Sequence, residues 1–182
     1  MQNSSTANIK LGLNIFGLPM PPSSSTVSSV FDERMMREAL QLAESAATKG
    51  EVPVGAVVVV AGEIIARAHN EVEAAFDATA HAEVLALRRA GEVRHGWRLN
   101  EATLYVTLEP CTMCAGAILN ARVGRVVFAA HDKRAGAAGS IYNLLELGGK
   151  VHPGTNQLPE IVTGICAQES EELLARFFSK RR

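Results

Sequence analysis

Cysteine is scarce in this chain. Three residues in 182 make an odd number, too small for a disulfide framework. Such sparse usage points to a reducing compartment, the cytoplasm, and away from small secreted scaffolds. Aromatic residues are few as well, at 5%, and neither sign of charge dominates: the formal net charge is −1. The chain therefore lacks the global basic signature of many nucleic-acid binders, although a local basic patch is compatible with that sum. No apolar run reaches the ~20 residues needed to span a bilayer. The longest, Ala56 to Ala61, reads as a buried strand. What is present, 47% hydrophobic and 20% charged residues, suits one globular domain with a sizeable core.

Residues 1–30 differ from the rest, with seven serines, several prolines and glycines, and one charge, Lys10. They read as a disordered N-terminal extension. The apolar stretch Leu11 to Leu18 is broken by Gly12, Asn14 and Gly17, unlike a secretory signal, and the first arginine is Arg34, unlike a transit peptide. A start codon placed too far upstream accounts for the stretch equally well. The functional domain is expected over residues 31–182.

Within it, Phe31 to Lys49 is apolar at helical spacing through Met35, Met36, Leu40, Ala43, Ala46 and Ala47. Val54 to Ala61 and Ile64 to His69 read as a hairpin turning at Gly62-Glu63. Asn70 to Ala78 reads as a loop. Thr79 is expected to cap a helix to about Ala90, with Val84, Leu85 and Leu87 facing inward. A strand at Thr103–Leu108 leads to a helix that Pro110 opens and that runs to about Ala121. Gly124 to Ala129 is a strand, Ser140 to Leu147 a helix, Glu160 to Thr163 a short strand and Glu169 to Ser179 a closing helix. Strand-helix-strand units imply parallel pairing with right-handed crossovers. The expected fold class is α/β: a three-layer α/β/α sandwich, a mixed five-stranded sheet with helices on both faces.

Two stretches carry the chemistry, Thr79-Ala80-His81-Ala82-Glu83 and Glu109-Pro110-Cys111-Thr112-Met113-Cys114. Cys111 and Cys114 share one face of a first helical turn, where the helix terminus favours thiolate. With His81 they make three zinc ligands and leave the fourth tetrahedral position open. A closed structural site would need a fourth ligand. The only other cysteine, Cys166, reads as a small buried apolar residue. Zinc lowers the pKa of bound water. Glu83, about 200° around the helix from His81, is placed to move the water's proton rather than to ligate.

The combination H-x-E…P-C-x-x-C, with 26 residues between Glu83 and Pro110, is the established signature of zinc-dependent nucleobase deaminases, TadA among them. From about Phe31 to Arg182 the sequence resembles the tRNA-specific adenosine deaminase (TadA) family, within the cytidine deaminase-like fold. The resemblance lies in Glu51-Val52-Pro53-Val54-Gly55-Ala56, in the two stretches above, in Arg125-Val126-Val127-Phe128, in Gly136-Ala137-Ala138-Gly139-Ser140, and in Phe177-Phe178 near a basic C-terminus.

The resemblance implies hydrolytic conversion of adenosine to inosine at the wobble position of a tRNA anticodon stem-loop. It implies one zinc ion per subunit, held by His81, Cys111 and Cys114, with Glu83 as the catalytic proton shuttle. It assigns Asn70 to the base, Glu51, Val52 and Ala82 to the nucleotide pocket, and Asp132 to a loop that meets the RNA backbone. Phe177 or Phe178 would pack on the anticodon loop, one of them core and the other touching RNA. A homodimer is implied too, and the small residues from Gly116 to Ile118 would permit close helix packing.

Two departures from the family pattern stand out. Asn156-Gln157-Leu158 replaces the usual Asn-His-Arg, and the segment from Ile141 to Thr155 is about five residues longer than usual. Lys133-Arg134 and Lys180-Arg181-Arg182 are candidate phosphate contacts. A deaminase of a free base or nucleoside, of guanine or cytidine type, would share the same ligands. A non-catalytic zinc protein would need a closed site or no Glu83.

Overall fold

The computed structural model describes residues 30–151 and 158–180. The expected extension falls almost wholly outside the described residues, as do Asn156, Gln157, Arg181 and Arg182.

The elements run α1 (Val30–Thr48), β1 (Gly55–Val60), β2 (Glu63–His69), α2 (Val72–Ala75), α3 (Ala82–Arg94), β3 (Thr103–Leu108), α4 (Thr112–Ala121), β4 (Arg125–Ala130), α5 (Leu144–Val151), β5 (Glu160–Thr163) and α6 (Ala167–Ser179). The five strands form one sheet in the order β2-β1-β3-β4-β5. β1 is antiparallel to both neighbours, while β3, β4 and β5 are parallel. The sheet is thus mixed, as expected. The β2-α3-β3 unit does not pair its strands directly, because β1 lies between them.

Side chains alternate across the sheet with the period of two that a strand imposes. Val58, Leu104, Val106, Val126 and Phe128 pack with α3, α4 and α5. Val57, Val59, Tyr105, Val127 and Ala129 pack with Met35, Met36 and Ala39 of α1, and α6 lies against β3 and β4. The runs of β-branched residues follow from burial on both faces. In α3 the buried face is Ala82, Ala86, Leu87 and Ala90, and Val84 is only half-buried.

Two contacts set α1 against the sheet. Asp32 accepts hydrogen bonds from Tyr105 Oη (2.6 Å) and from both terminal nitrogens of Arg125 (2.8 Å each). At Gly55 a Cβ would sit 2.0 Å from the Ala39 carbonyl oxygen, so only glycine lets the helix and β1 approach so closely.

The hairpin turns at Ala61 and Gly62, not at Gly62-Glu63. Both have positive φ (51° and 82°), the type I′ geometry that matches strand twist. The expected loop after Asn70 contains the short helix α2. Its first amides reach back to Glu51, whose carboxylate accepts from Glu73 N–H (3.3 Å) and Ala74 N–H (2.8 Å).

Candidate active site

Topology brings the two chemical stretches together. β2 and β3 are both antiparallel to β1, so they point the same way and end at the same edge of the sheet. The chain leaving each of them enters a helix there, α3 after β2 and α4 after β3. Open α/β sheets build sites at such strand ends.

The helix starts differ from the sequence expectation. His81 and Cys111 are themselves the N-cap residues, with extended backbone (φ −75°, ψ 150° and φ −74°, ψ 175°) and no side-chain capping bond. Thr79 instead donates to Asp77 through its amide and its hydroxyl, at 2.7 Å each. Pro110 lies one residue before the cap. An N-cap side chain normally turns back on its own helix. Here neither does, and both are free to face each other. The Ala82 amide of α3 is satisfied from elsewhere, by Asn70 Oδ1 at 2.9 Å.

His81 Nδ1 lies 3.7 Å from Cys111 Sγ and 3.5 Å from Cys114 Sγ, and the two sulfurs are 3.6 Å apart. A tetrahedral zinc ion, ~2.3 Å from sulfur and ~2.0 Å from nitrogen, holds its ligands roughly 3.5–3.8 Å apart. The triangle therefore fits zinc in both donor type and spacing. Cys166 takes no part. It heads α6 with φ 56° and is half-buried rather than core.

The hydrogen bond with Cys114 and the nearby His81 pull the Cys111 thiol down to about 4. The same bond, together with burial, pushes Cys114 up. His81 is raised by its bond to Cys111. Glu83, 4% exposed in the first turn of α3, is pushed up to about 7, with burial the main cause.

A cavity of about 280 Å³ adjoins the triangle. Glu51, Val52, Asn70, His81, Glu83, Cys111 and Asp132 all line it. Of the other expected site residues, Cys114 and Ala82 are fully buried, and Ala82 offers a backbone amide that Asn70 already occupies. Phe177 (8% exposed) is core, Phe178 (42% exposed) is on the surface with its ring edge-on to Phe177, and neither lines the cavity. Lys133, Arg134 and Lys180 are exposed.

Two supports escaped the sequence reading. His69 sits between Lys49 Nζ (2.9 Å) and the Asn70 carbonyl (2.7 Å), bracing Asn70 from behind. Glu109, which ends in the cavity wall, is buried and accepts from Asp132, Ala138 and Ser140 amides at 2.9–3.0 Å. Burial alone would raise its carboxyl, but these bonds and that of the Ser140 hydroxyl hold it below the usual value. The available signal was a carboxylate placed directly after a buried strand.

The family model for MafB19-like deaminases matches residues 31–182. A tRNA-specific adenosine deaminase of Bacillus subtilis is 47% identical, covering 83% of this chain and 91% of its own. A solved structure from work on A-to-I editing by tRNA:A34 deaminases at the wobble position is 42% identical, with a TM-score of 0.70, covering 78% of this chain and 99% of its own. A guanine deaminase structure from Bacillus subtilis is 34% identical, with a TM-score of 0.55, covering 82% and 92%. The chain belongs to the tRNA-specific adenosine deaminase family, within the MafB19-like deaminases.

Proposed function

We propose that this chain converts adenosine to inosine by hydrolysis at the anticodon wobble position of a tRNA. One observation carries the reading: two of the three converging ligands, His81 and Cys111, line one cavity with the buried Glu83 carboxyl, and the third, Cys114, lies buried beside them. Family membership supplies the substrate class, since the adenosine deaminase relatives act on tRNA.

His81, Cys111 and Cys114 would hold one zinc ion per subunit. When bound, zinc supplies the Lewis acidity that makes water ionisable near neutral pH. Glu83 takes the proton of the attacking water as oxygen bonds to C6 of adenine. It returns that proton to the amino nitrogen as the C6–N bond breaks, so adenosine and water become inosine and ammonia. A buried carboxyl beside the ligand triangle is placed for both transfers. Asn70 fixes its Oδ1 on the Ala82 amide and lines the cavity, so its amide hydrogens serve the base. Val52 and Asp132 line the nucleotide's way in, and Glu51 supports it by holding α2. Phe178, with Lys133 and Arg134, forms the surface offered to the anticodon loop.

A second copy of the chain is the expected partner. The groove between α3 and α4, lined by Val84, Leu87, Trp97, Ala117 and Ala121, is apolar, and Trp97 is 53% exposed. Gly116 on α4 has open space where its side chain would be, which leaves room for close helix packing. Residues 31–182 are the deaminase domain and 1–30 an extension to it. No described helix is long and apolar enough to cross a membrane, and the cytoplasm is the compartment proposed for the reaction, in keeping with sparse cysteine usage. The runner-up, deamination of a free base, draws on the guanine deaminase likeness. Sequencing tRNA from cells lacking this gene tests the choice. A wobble adenosine left unedited is the expected result; full editing would refute it.

A further inference from the structure

Glu109 directly follows β3 and precedes Pro110 and Cys111. Its side chain is buried, yet every acceptor position it offers is used by one stretch, residues 131–140, between β4 and α5. Oε1 accepts from Ala138 N–H (2.9 Å) and Ser140 N–H (3.0 Å). Oε2 accepts from Asp132 N–H (3.0 Å) and from the Ser140 hydroxyl, and faces His131 Nδ1 at 3.2 Å. The stretch has little apolar anchorage of its own before Gly136, since His131, Lys133, Arg134 and Ala135 are exposed.

Gly136 shows how closely the loop closes on this carboxylate. A Cβ there would stand 2.4 Å from Glu109 Cδ and 2.6 Å from the Asp132 carbonyl oxygen. The backbone beside Glu109 is tied in as well. Pro110 O accepts from Ala137 N–H (2.9 Å), and Cys111 bridges to Gly136. Asp132 and Ala135 then form part of the cavity wall together with Val52 and Asn70.

We infer that Glu109 is a positioning residue: its carboxylate latches the 131–140 loop into the form that completes the substrate cavity, and it does so from the segment that carries Cys111. The inference rests on the deaminase reading for its substrate. Its acceptor positions are occupied by the loop, so it acts on the reaction only through that loop. Losing the latch weakens RNA binding more than chemistry and frees the loop without unfolding the sheet.

Glu109→Gln keeps the size but turns one acceptor oxygen into an amino group that faces N–H and O–H donors. The expected result has three parts. Metal content stays at one ion per chain. Hydrogen exchange at the Asp132, Ala138 and Ser140 amides rises about tenfold, while Leu104 and Val106 in β3 keep their protection. KM for an anticodon stem-loop rises by a similar factor, with kcat little changed. Ser140→Ala removes only a hydroxyl. It is expected to shift exchange and KM in the same direction by less, and it decides the matter if Glu109→Gln does not fold. Unchanged loop exchange in both variants overturns the inference, and so does a fall in kcat at constant KM. If the wild-type protein leaves the stem-loop untouched, the tRNA reading fails, while exchange and metal content still decide whether the latch exists.

Discussion

Replacing Glu83 with glutamine separates a carboxyl kept for chemistry from one kept for stability. Glu83 is buried, and its pKa rises from an ordinary 4.5 to about 7. At about 1.4 kcal/mol per unit, ionising it in the folded, metal-free protein costs about 3 kcal/mol. The sign follows from proton counts. Between pH 4.5 and 7 the folded state keeps a proton that the unfolded state has lost. The Glu83 contribution to stability therefore falls as pH rises through that window and is flat above it. Glutamine cannot ionise and escapes the loss. Urea denaturation of chelator-treated protein is the assay. Glu83→Gln is expected to match wild type below pH 4.5 and to exceed it by about 3 kcal/mol at pH 8. Its turnover at pH 7 should be roughly 10²–10⁴-fold lower. Loss of stability at pH 8, or unchanged turnover, would refute the reasoning.

Other residues give further tests. Asp32→Asn leaves the Arg125 guanidinium, only 24% exposed, without its bidentate partner. It should cost about 3 kcal/mol and lower the melting temperature by roughly 10 °C in a thermal scan, with kcat unchanged. Cys114→Ser should abolish bound zinc in elemental analysis, because the ligand triangle loses a sulfur at 3.5 Å from His81. Trp97→Glu places a charge in the α3–α4 groove and should convert dimer to monomer in sedimentation analysis while leaving zinc content at one per chain.

What could be read from the sequence, and what could not, divides along a physical line. β3 and β5 fall at their expected bounds because a buried strand is written in its own residues. So are the amphipathic face of α1 and the His/Cys spacing. The displacements at α2, α3 and α5 have one cause, a distant carboxylate or amide that supplies a hydrogen bond. α2 exists where a loop was expected because Glu51 holds its first amides. α3 starts at Ala82, after His81, because Asn70 satisfies the Ala82 amide and leaves Thr79 to a turn. α5 begins at Leu144, not Ser140, because Glu109 holds the amides of Ala138 and Ser140 in the loop. Local patterns cannot show partners that lie 12 to 31 positions away. The same limit hid Glu109 and His69, whose parts in the site appear only once the chain is folded.

We propose that the cavity lined by His81, Cys111 and Glu83, with Cys114 buried beside it, deaminates adenosine in RNA. Zinc-loaded protein should be incubated with an anticodon stem-loop carrying a wobble adenosine and, separately, with free adenosine, guanine and cytidine. The products are then resolved by chromatography and mass spectrometry. The predicted result is inosine in the stem-loop alone, absent with Glu83→Gln. Turnover of a free base with the stem-loop left intact would contradict it.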